Sequence, residues 1–136
     1  MTLNNNLSRL WRDFLPLMAC MLLIFLLSSR SRLIDIEEPF LSTLFYKSAH
    51  VTIYTILMGL WWRALSPTRL VTWSILGQAY ISTILYAISD EIHQSFVPGR
   101  HAHFADIMFD AAGALIALLI IRWLNQIRNK MAINPQ

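Results

Sequence analysis

Residues 14–29 read FLPLMACMLLIFLLSS and contain no charged side chain. Three more apolar runs follow, at residues 40–62, 70–89 and 104–121, and charged residues are rare inside them. Each run is close to the ~20 residues that a helix needs to cross ~30 Å of hydrocarbon. In lipid the backbone must satisfy its own hydrogen bonds, so these runs predict helices rather than open strands. The sequence therefore predicts an all-α integral membrane bundle of four transmembrane helices.

The composition excludes several other classes of protein. Hydrophobic residues make up 56% of the 136 residues and charged residues only 14%, against about 25% in soluble domains. A chain of this length has room for one domain. The net charge is +3, but the basic residues flank the apolar runs, so we expect the lipid bilayer and no nucleic acid as a partner. The single cysteine, Cys20, lies inside the first run and cannot form a disulfide framework.

The first apolar run could also be a cleaved signal peptide. It ends in the sequence LLSSRSR, residues 26–32, without an Ala-x-Ala cleavage site, which favours a retained membrane anchor. We therefore predict a cytoplasmic tail at residues 1–13, a four-helix membrane domain at 14–124 and a second cytoplasmic tail at 125–136.

The distribution of basic residues predicts the orientation in the membrane. One face holds seven of them, namely Arg9, Arg12, Arg63, Arg69, Arg122, Arg128 and Lys130. The other face holds Arg30, Arg32, Lys47 and Arg100, and its first loop adds Asp35, Glu37 and Glu38. Basic residues favour the cytoplasmic side, so both termini are predicted there and the linkers 30–39 and 93–103 face outward.

Nine polar residues lie near the ends of the second, third and fourth runs. They are Lys47, His50, Tyr54, Asp90, Glu91, Gln94, Arg100, Asp106 and Asp110. The second and fourth runs enter the membrane at the face where the third run leaves it, so all nine meet at one face in either orientation. A charged group at the bilayer centre costs roughly 2.5–3.5 kcal/mol, so we expect these side chains to face the bundle interior and to pair across helices.

Three segments of this cluster resemble the signature blocks of VanZ-like proteins. They read KSAHVTIY at 47–54, DEIHQSFVPGR at 90–100 and DIMFDAAG at 106–113, with Asp110 where the family usually has Asn. The resemblance covers about residues 40–120. It implies a multi-spanning protein of the bacterial plasma membrane and cell envelope. The family is named for a member linked to resistance to the antibiotic teicoplanin, so the resemblance also raises a role in antibiotic resistance.

Our leading hypothesis is binding or modification of an anionic envelope component, lipid-linked or peptidoglycan-related, at the outer leaflet. Arg100 and Lys47 would hold the anion. Tyr54, Gln94 and Asp110 are further candidate binding residues. His50, Asp90, Glu91 and Asp106 are the candidates for proton transfer if there is chemistry. The sequence contains no recognisable nucleophile, phosphate loop or cofactor motif, so it leaves enzyme activity open and predicts no cofactor.

A structural role for the same cluster is the first alternative. His50 with Tyr54 could make an interhelical hydrogen bond, and Arg100 could clamp Asp90 or Asp106. Asp90 and Glu91 are adjacent and point about 100° apart on a helix, so we expect one of them to bind Lys47 or Arg100 and the other to face a cavity. The cluster would then be a polar knot in a non-catalytic envelope factor.

Two further alternatives concern transport and metal binding. Four polar residues follow one side of the third run and could line the path of a small proton-coupled carrier, or simply hydrogen-bond between helices. They are Ser74, Gln78, Ser82 and Ser89. His93, His101 and His103 lie near the acids and could bind zinc or manganese. The two loop histidines match no part of the family signature, so we predict no metal site.

Overall fold

The computed structural model describes residues 8, 10–30, 39–66, 68–100 and 102–133. A π-helical turn at Leu10–Phe14 leads into helix α1, Leu15–Ser28. Helices α2, Pro39–Leu65, α3, Trp73–Ser95, and α4, Phe104–Ile133, follow. The described residues contain no strand, so the all-α part of the prediction is confirmed.

Three of the helices extend beyond the predicted runs. Helix α2 continues to Leu65, and α4 continues to Ile133 through most of the predicted C-terminal tail. Helix α3 begins at Trp73, three residues after its apolar run, because extended Thr72 caps it and accepts a hydrogen bond from the N–H of Ile75. It ends at Ser95, so residues 93–95 are helical and do not belong to the linker. An apolar run indicates which part of a helix is suited to the hydrocarbon of a membrane, whereas the helix itself continues as long as its backbone stays hydrogen-bonded.

Two helical segments, Trp11–Ser28 and Phe104–Ala132, are long and apolar enough to be candidate membrane spans. Helices α2 and α3 contain 27 and 23 residues, which is also sufficient length, but they carry most of the polar cluster and are less apolar. Large apolar side chains are exposed on all four helices, for example Leu22, Ile56, Leu85 and Leu119. Soluble monomers rarely expose so much apolar surface.

Helices α2 and α3 form the centre of the bundle. Helix α1 packs against both of them on one side, and α4 packs against both on the other. One core cluster joins α1, α2 and α3 around Leu17, Ile24 and Leu57. A second joins α2, α3 and α4 around Met58 and small residues, namely Ala79, Ala114 and Ala117. The second cluster thus packs three helices, α2, α3 and α4, against one another.

Helices α2 and α4 approach each other closely at Gly113. A Cβ atom at this position would collide with the carbonyl oxygen of Val51 on α2. The short distance between the helices allows Oγ1 of Thr55 to donate a hydrogen bond to the carbonyl oxygen of Gly113 at 2.9 Å. Small residues such as Gly113 let the backbones of membrane helices approach this closely.

The opposite end of the bundle contains a buried carboxylate that sequence analysis missed. Asp13 is fully buried, although it was assigned to a tail. Arg69 donates to its Oδ1 at 2.6 Å, and Arg12 and Arg63 lie within 3.3 and 3.5 Å of its carboxylate oxygens. Arg69 also donates to the carbonyl oxygen of Arg63 and adopts a left-handed φ of 58°, which is uncommon outside glycine. This arrangement ties the start of α1 to the turn after α2.

Candidate functional site

One end of the bundle gathers the nine polar residues that the sequence singled out. Two of their contacts join α2 to α4. Nζ of Lys47 contacts the carboxylate of Asp106, and Nδ1 of His50 lies 2.8 Å from Oδ1 of Asp110. The two helices run in the same direction, so two residues one turn apart on α2 meet two residues one turn apart on α4. The expected pairing across helices is confirmed for these four side chains.

Gln94 connects the remaining cation to an acid. Its Oε1 accepts a hydrogen bond from Nη1 of Arg100 at 2.7 Å, and its Nε2 donates to Oδ2 of Asp90 at 2.8 Å. The turn after α3 directs Arg100 back over the helix end, with Gly99 at a φ of 80°. The alternative in which Arg100 clamps Asp90 or Asp106 directly is not found, because the amide of Gln94 lies between the guanidinium and Asp90.

Glu91 has a separate structural partner. Its Oε1 accepts the backbone N–H of His103, the residue before α4. Asp90 and Glu91 therefore contact different groups, as their neighbouring positions on a helix predict. The expectation that one of them binds Lys47 or Arg100 was wrong, since Lys47 pairs with Asp106 instead. Buried Glu91 is then a brace between the end of α3 and the start of α4, because a buried carboxylate needs such a donor.

Helix α1 also joins the site, which sequence analysis did not predict. Oγ of Ser28 donates to Oδ1 of Asp90 at 2.5 Å, and both residues are buried. One turn along α3, the hydroxyl of Tyr86 donates to the carbonyl oxygen of Met21 at 2.5 Å. The first run ends at the same membrane face at which the second run begins. Ser28 could therefore have been counted with the polar cluster from the sequence alone.

A partly open cavity of about 90 Å³ lies among α1, α2 and the end of α3. Its polar lining consists of Ser28, Tyr46, His50, Tyr54, Asp90, Gln94 and Arg100. Its apolar lining includes Ile24, Leu27 and Ile53. This volume admits several water molecules or a small polar group. Lys47, Glu91, Asp106 and Asp110 are not among its lining residues, so the cluster divides into cavity residues and residues that support them.

Tyr54 is the deepest polar residue of this cavity. Its side chain is 1% exposed, and its hydroxyl has no hydrogen-bond partner among the described residues. The ring lies parallel to that of His50, with centroids 6.4 Å apart. An unsatisfied buried hydroxyl costs about 1–3 kcal/mol, so such groups in native proteins call for a bound partner. A ligand or water in the adjoining cavity would supply that partner.

The comparisons with known proteins agree with the motifs. A family model described as VanZ/LLP1 matches residues 6–125, which include the whole polar cluster. The chain belongs to the VanZ/LLP1 family. No curated protein and no solved structure matches it. Family membership and the two apolar helices support a VanZ-type membrane protein of the cell envelope.

His93 and His103, two of the histidines considered as metal ligands, have other contacts. The ring of His93 lies 4.5 Å from that of Phe25, and its Nε2 lies 3.0 Å from Oγ of Ser29. His103 contributes its backbone N–H to Glu91. Among the described residues, no three His, Cys, Asp or Glu side chains form a group that could hold a metal ion. Several residues used in the sequence analysis lie outside the described part of the chain: Arg9, Arg32, Asp35, Glu37, Glu38 and His101.

The polar stripe of α3 does not line a path through this VanZ/LLP1 bundle. Ser74, Gln78 and Ser89 are exposed, and only Ser82 is half-buried. Their hydrogen bonds stay within α3: Gln78 donates to Ser74, and Ser89 donates to the carbonyl oxygen of Tyr86. The buried side of α3 is instead the line from Leu76 to Gln94. Among the described residues, Ser74, Gln78 and Ser89 therefore neither bond to another helix nor line a path inside one chain. Both predictions were wrong for these three residues.

Proposed function

We propose that this VanZ/LLP1 protein crosses the bacterial plasma membrane with all four helices and binds an anionic envelope component in the cavity at its outer face. The component is lipid-linked or peptidoglycan-related and carries phosphate or carboxylate. Both termini lie in the cytoplasm in this proposal. The observation that carries it is the shared cavity of Arg100 and Tyr54, in which a guanidinium and an unpartnered buried hydroxyl are both available to one ligand.

The exposed apolar surface supports four spans. Helices α2 and α3 each expose large apolar residues, for instance Ile56 and Leu85, while Asp90, Glu91 and Asp110 are buried. Proteins in water usually have the reverse arrangement, with most large apolar residues buried and charged residues at the surface. Lipid around all four helices accounts for both observations.

Labelling of single cysteines tests this topology. In a Cys20→Ser background, Ser29→Cys and Ser95→Cys introduce thiols at exposed positions at the helix ends near the polar cluster, and Asn129→Cys introduces one near the end of α4. We expect a membrane-impermeant maleimide to label the first two in intact cells and the third only after permeabilisation. Labelling of positions 29 and 95 from different sides would overturn the shared outer face.

Arg100 supplies the charge for anion binding. The other two cations of the cluster face carboxylates, Lys47 with Asp106 and His50 with Asp110. Arg100 faces the neutral amide of Gln94, and it is only partly buried. Its guanidinium has five N–H donors, so one bond to Gln94 leaves donors for phosphate or carboxylate oxygens. Lys47, which the sequence suggested as a second anion ligand, acts in this proposal as a support for Asp106.

His50 could extend the function from binding to proton transfer. Asp110 contacts Nδ1 of His50, so Nε2 is the ring nitrogen available to a ligand in the cavity. A carboxylate behind an imidazole fixes the ring orientation and tautomer in many acid–base sites. His50 would then accept a proton from a ligand hydroxyl, or donate one to a leaving group. Asp90 lines the same cavity and already accepts bonds from Ser28 and Gln94.

Ligand binding by purified variants tests the proposal. Full-length protein in lipid nanodiscs is titrated with a polyprenyl phosphate, a soluble muramyl peptide and a neutral polyprenol. We expect Arg100→Gln and Tyr54→Phe each to weaken binding of the anionic probe about tenfold or more, because a hydrogen bond to a charged group contributes about 1.5–3 kcal/mol. Arg30→Gln and Tyr80→Phe are matched controls, because neither residue lines the cavity.

A polar knot without a ligand predicts a different pattern. Its support is the large share of cluster side chains that already contact each other, such as Lys47 with Asp106 and His50 with Asp110. In that case the wild type would bind no anionic probe, and Arg100→Gln would only lower the thermal stability. Equal affinity for the phosphate and the neutral polyprenol would overturn the anion-binding proposal.

A further inference from the structure

Two adjacent cavities lie at the end of the bundle opposite the polar cluster. They separate the turn before α3 from the second half of α4, and their volumes are about 400 and 240 Å³. Val71 and Asn125 line both, so the two cavities share a wall. Arg122 lines the first and Arg128 lines the second. Arg122 and Arg128 thus line two adjoining cavities, with Asn125 in the wall of both, and the two cavities together are called the groove below.

Neither arginine has a carboxylate partner among the described residues. Arg122 lies over the ring of Trp73, with 3.6 Å between its Cζ atom and the ring centroid, and Arg128 donates to Oδ1 of Asn125 at 2.8 Å. The acid at this end is Asp13, and it is already surrounded by three other arginines. The charges of Arg122 and Arg128 thus stay uncompensated within the described chain.

The walls of the groove combine polar and apolar groups. Thr72, Asn125 and Gln126 line the larger cavity beside Arg122. Trp62, Ile121 and Leu124 line the smaller one beside Arg128. Guanidinium and amide groups suit a phosphate, and the apolar wall suits the start of an acyl chain. A soluble phosphate compound would use the first set of groups and gain nothing from the second.

The depth of the groove matches the headgroup region of a membrane. Arg122 directly follows the apolar run of α4, and the exposed Trp73 and Trp123 lie at the same height in the bundle. Tryptophan is enriched where lipid headgroups meet hydrocarbon. The arginines are then next to phospholipid phosphates of the adjacent leaflet.

We propose that Arg122 and Arg128 bind the phosphate of an anionic phospholipid, with one acyl chain along Trp62, Ile121 and Leu124. This site is separate from the outer cavity, and the proposal does not depend on what that cavity binds. Basic grooves between membrane helices are a known way to recognise anionic headgroups.

Binding of defined lipids to the purified full-length chain tests this proposal. The protein in neutral detergent is titrated with phosphatidylglycerol or with phosphatidylcholine of the same acyl chains, and bound lipid is counted by native mass spectrometry. We expect wild type to prefer phosphatidylglycerol about tenfold or more, and Arg122→Gln with Arg128→Gln to remove that preference. Lys130→Gln, an exposed cation outside both cavities, should retain it.

A competition with inorganic phosphate and a comparison on the wild type alone complete the test. Inorganic phosphate at millimolar concentration should not displace phosphatidylglycerol, and displacement would show a site for free phosphate instead of lipid. The comparison of the two lipids on wild type needs no variant, so it stands even if the double substitution lowers the yield of folded protein. Equal binding of the two lipids to wild type would overturn the proposal.

Discussion

His50 and Asp110 face each other across α2 and α4, with 2.8 Å between Nδ1 and Oδ1. VanZ-like motifs usually have Asn at the position of Asp110, and an Asn carbonyl oxygen can accept the same hydrogen bond. We expect Asp110→Asn to leave the thermal stability in detergent within about 1 kcal/mol of wild type. Asp110→Ala leaves the imidazole unpaired and should cost about 1–3 kcal/mol. Equal losses for Asn and Ala would show that the carboxylate charge is required.

Substitution of Gly113 tests the close contact between α2 and α4. A methyl group there meets the backbone of Val51, which cannot move like a flexible side chain, so Gly113→Ala should destabilise the protein by about 1–3 kcal/mol. Gly59→Ala and Gly77→Ala are matched controls, because a Cβ atom at either position meets nothing within 4 Å. Thermal unfolding of the three variants in one detergent gives the comparison. A loss of equal size in the controls would contradict the packing argument.

The bond between Ser28 and Asp90 holds α1 to α3. Removal of the hydroxyl in Ser28→Ala takes away a donor to a buried carboxylate, which we expect to cost about 1.5–3 kcal/mol. Hydrogen exchange of the backbone amides in the last turn of α1 should become faster. Ser48→Ala is the control, since its hydroxyl is exposed and bonds only to its own helix at Phe45. Unchanged exchange in α1 would show that apolar packing alone fixes its position.

An exchange of charges tests the contact between Lys47 and Asp106. Lys47→Asp puts two acids together and Asp106→Lys puts two cations together, so each single variant should be destabilised. The double variant restores opposite charges, and we expect it to recover about 0.5–3 kcal/mol over the sum of the single effects. The thermal unfolding of all four proteins measures this coupling. Strictly additive losses would mean that the two side chains do not interact in the membrane.

The sequence predicted the level of each polar residue and that it faces the bundle interior, but not which partner it contacts. Run lengths and parity brought Lys47, His50, Asp106 and Asp110 to one end of the bundle, and their spacing of one turn produced two matching pairs. Rotation about the helix axis depends on packing, and the contact at Gly113 sets it for α2 and α4. Hydropathy carries no such information.

The contacts that sequence reasoning missed involve residues whose role depends on that packing. Ser28 has an ordinary place at the end of an apolar run, and only the position of α1 beside α3 makes it a partner of Asp90. Arg100 was expected to meet an acid directly, yet the turn at Gly99 brings it to the amide of Gln94. Asp13 was assigned to a tail because it precedes the charge-free run, although the helical turn there buries it.

Helix α1 is bonded to its neighbours at three heights: Asp13 to Arg69, the carbonyl of Met21 to Tyr86, and Ser28 to Asp90. A helix held only by apolar side chains can slide or rotate at little cost, whereas these three contacts fix its position along its axis. Since α1 forms one wall of the cavity beside Tyr54, the aperture has a set width. In the proposed function these bonds would let the cavity select ligands by size, and loosening any one of them should broaden the range of molecules accepted.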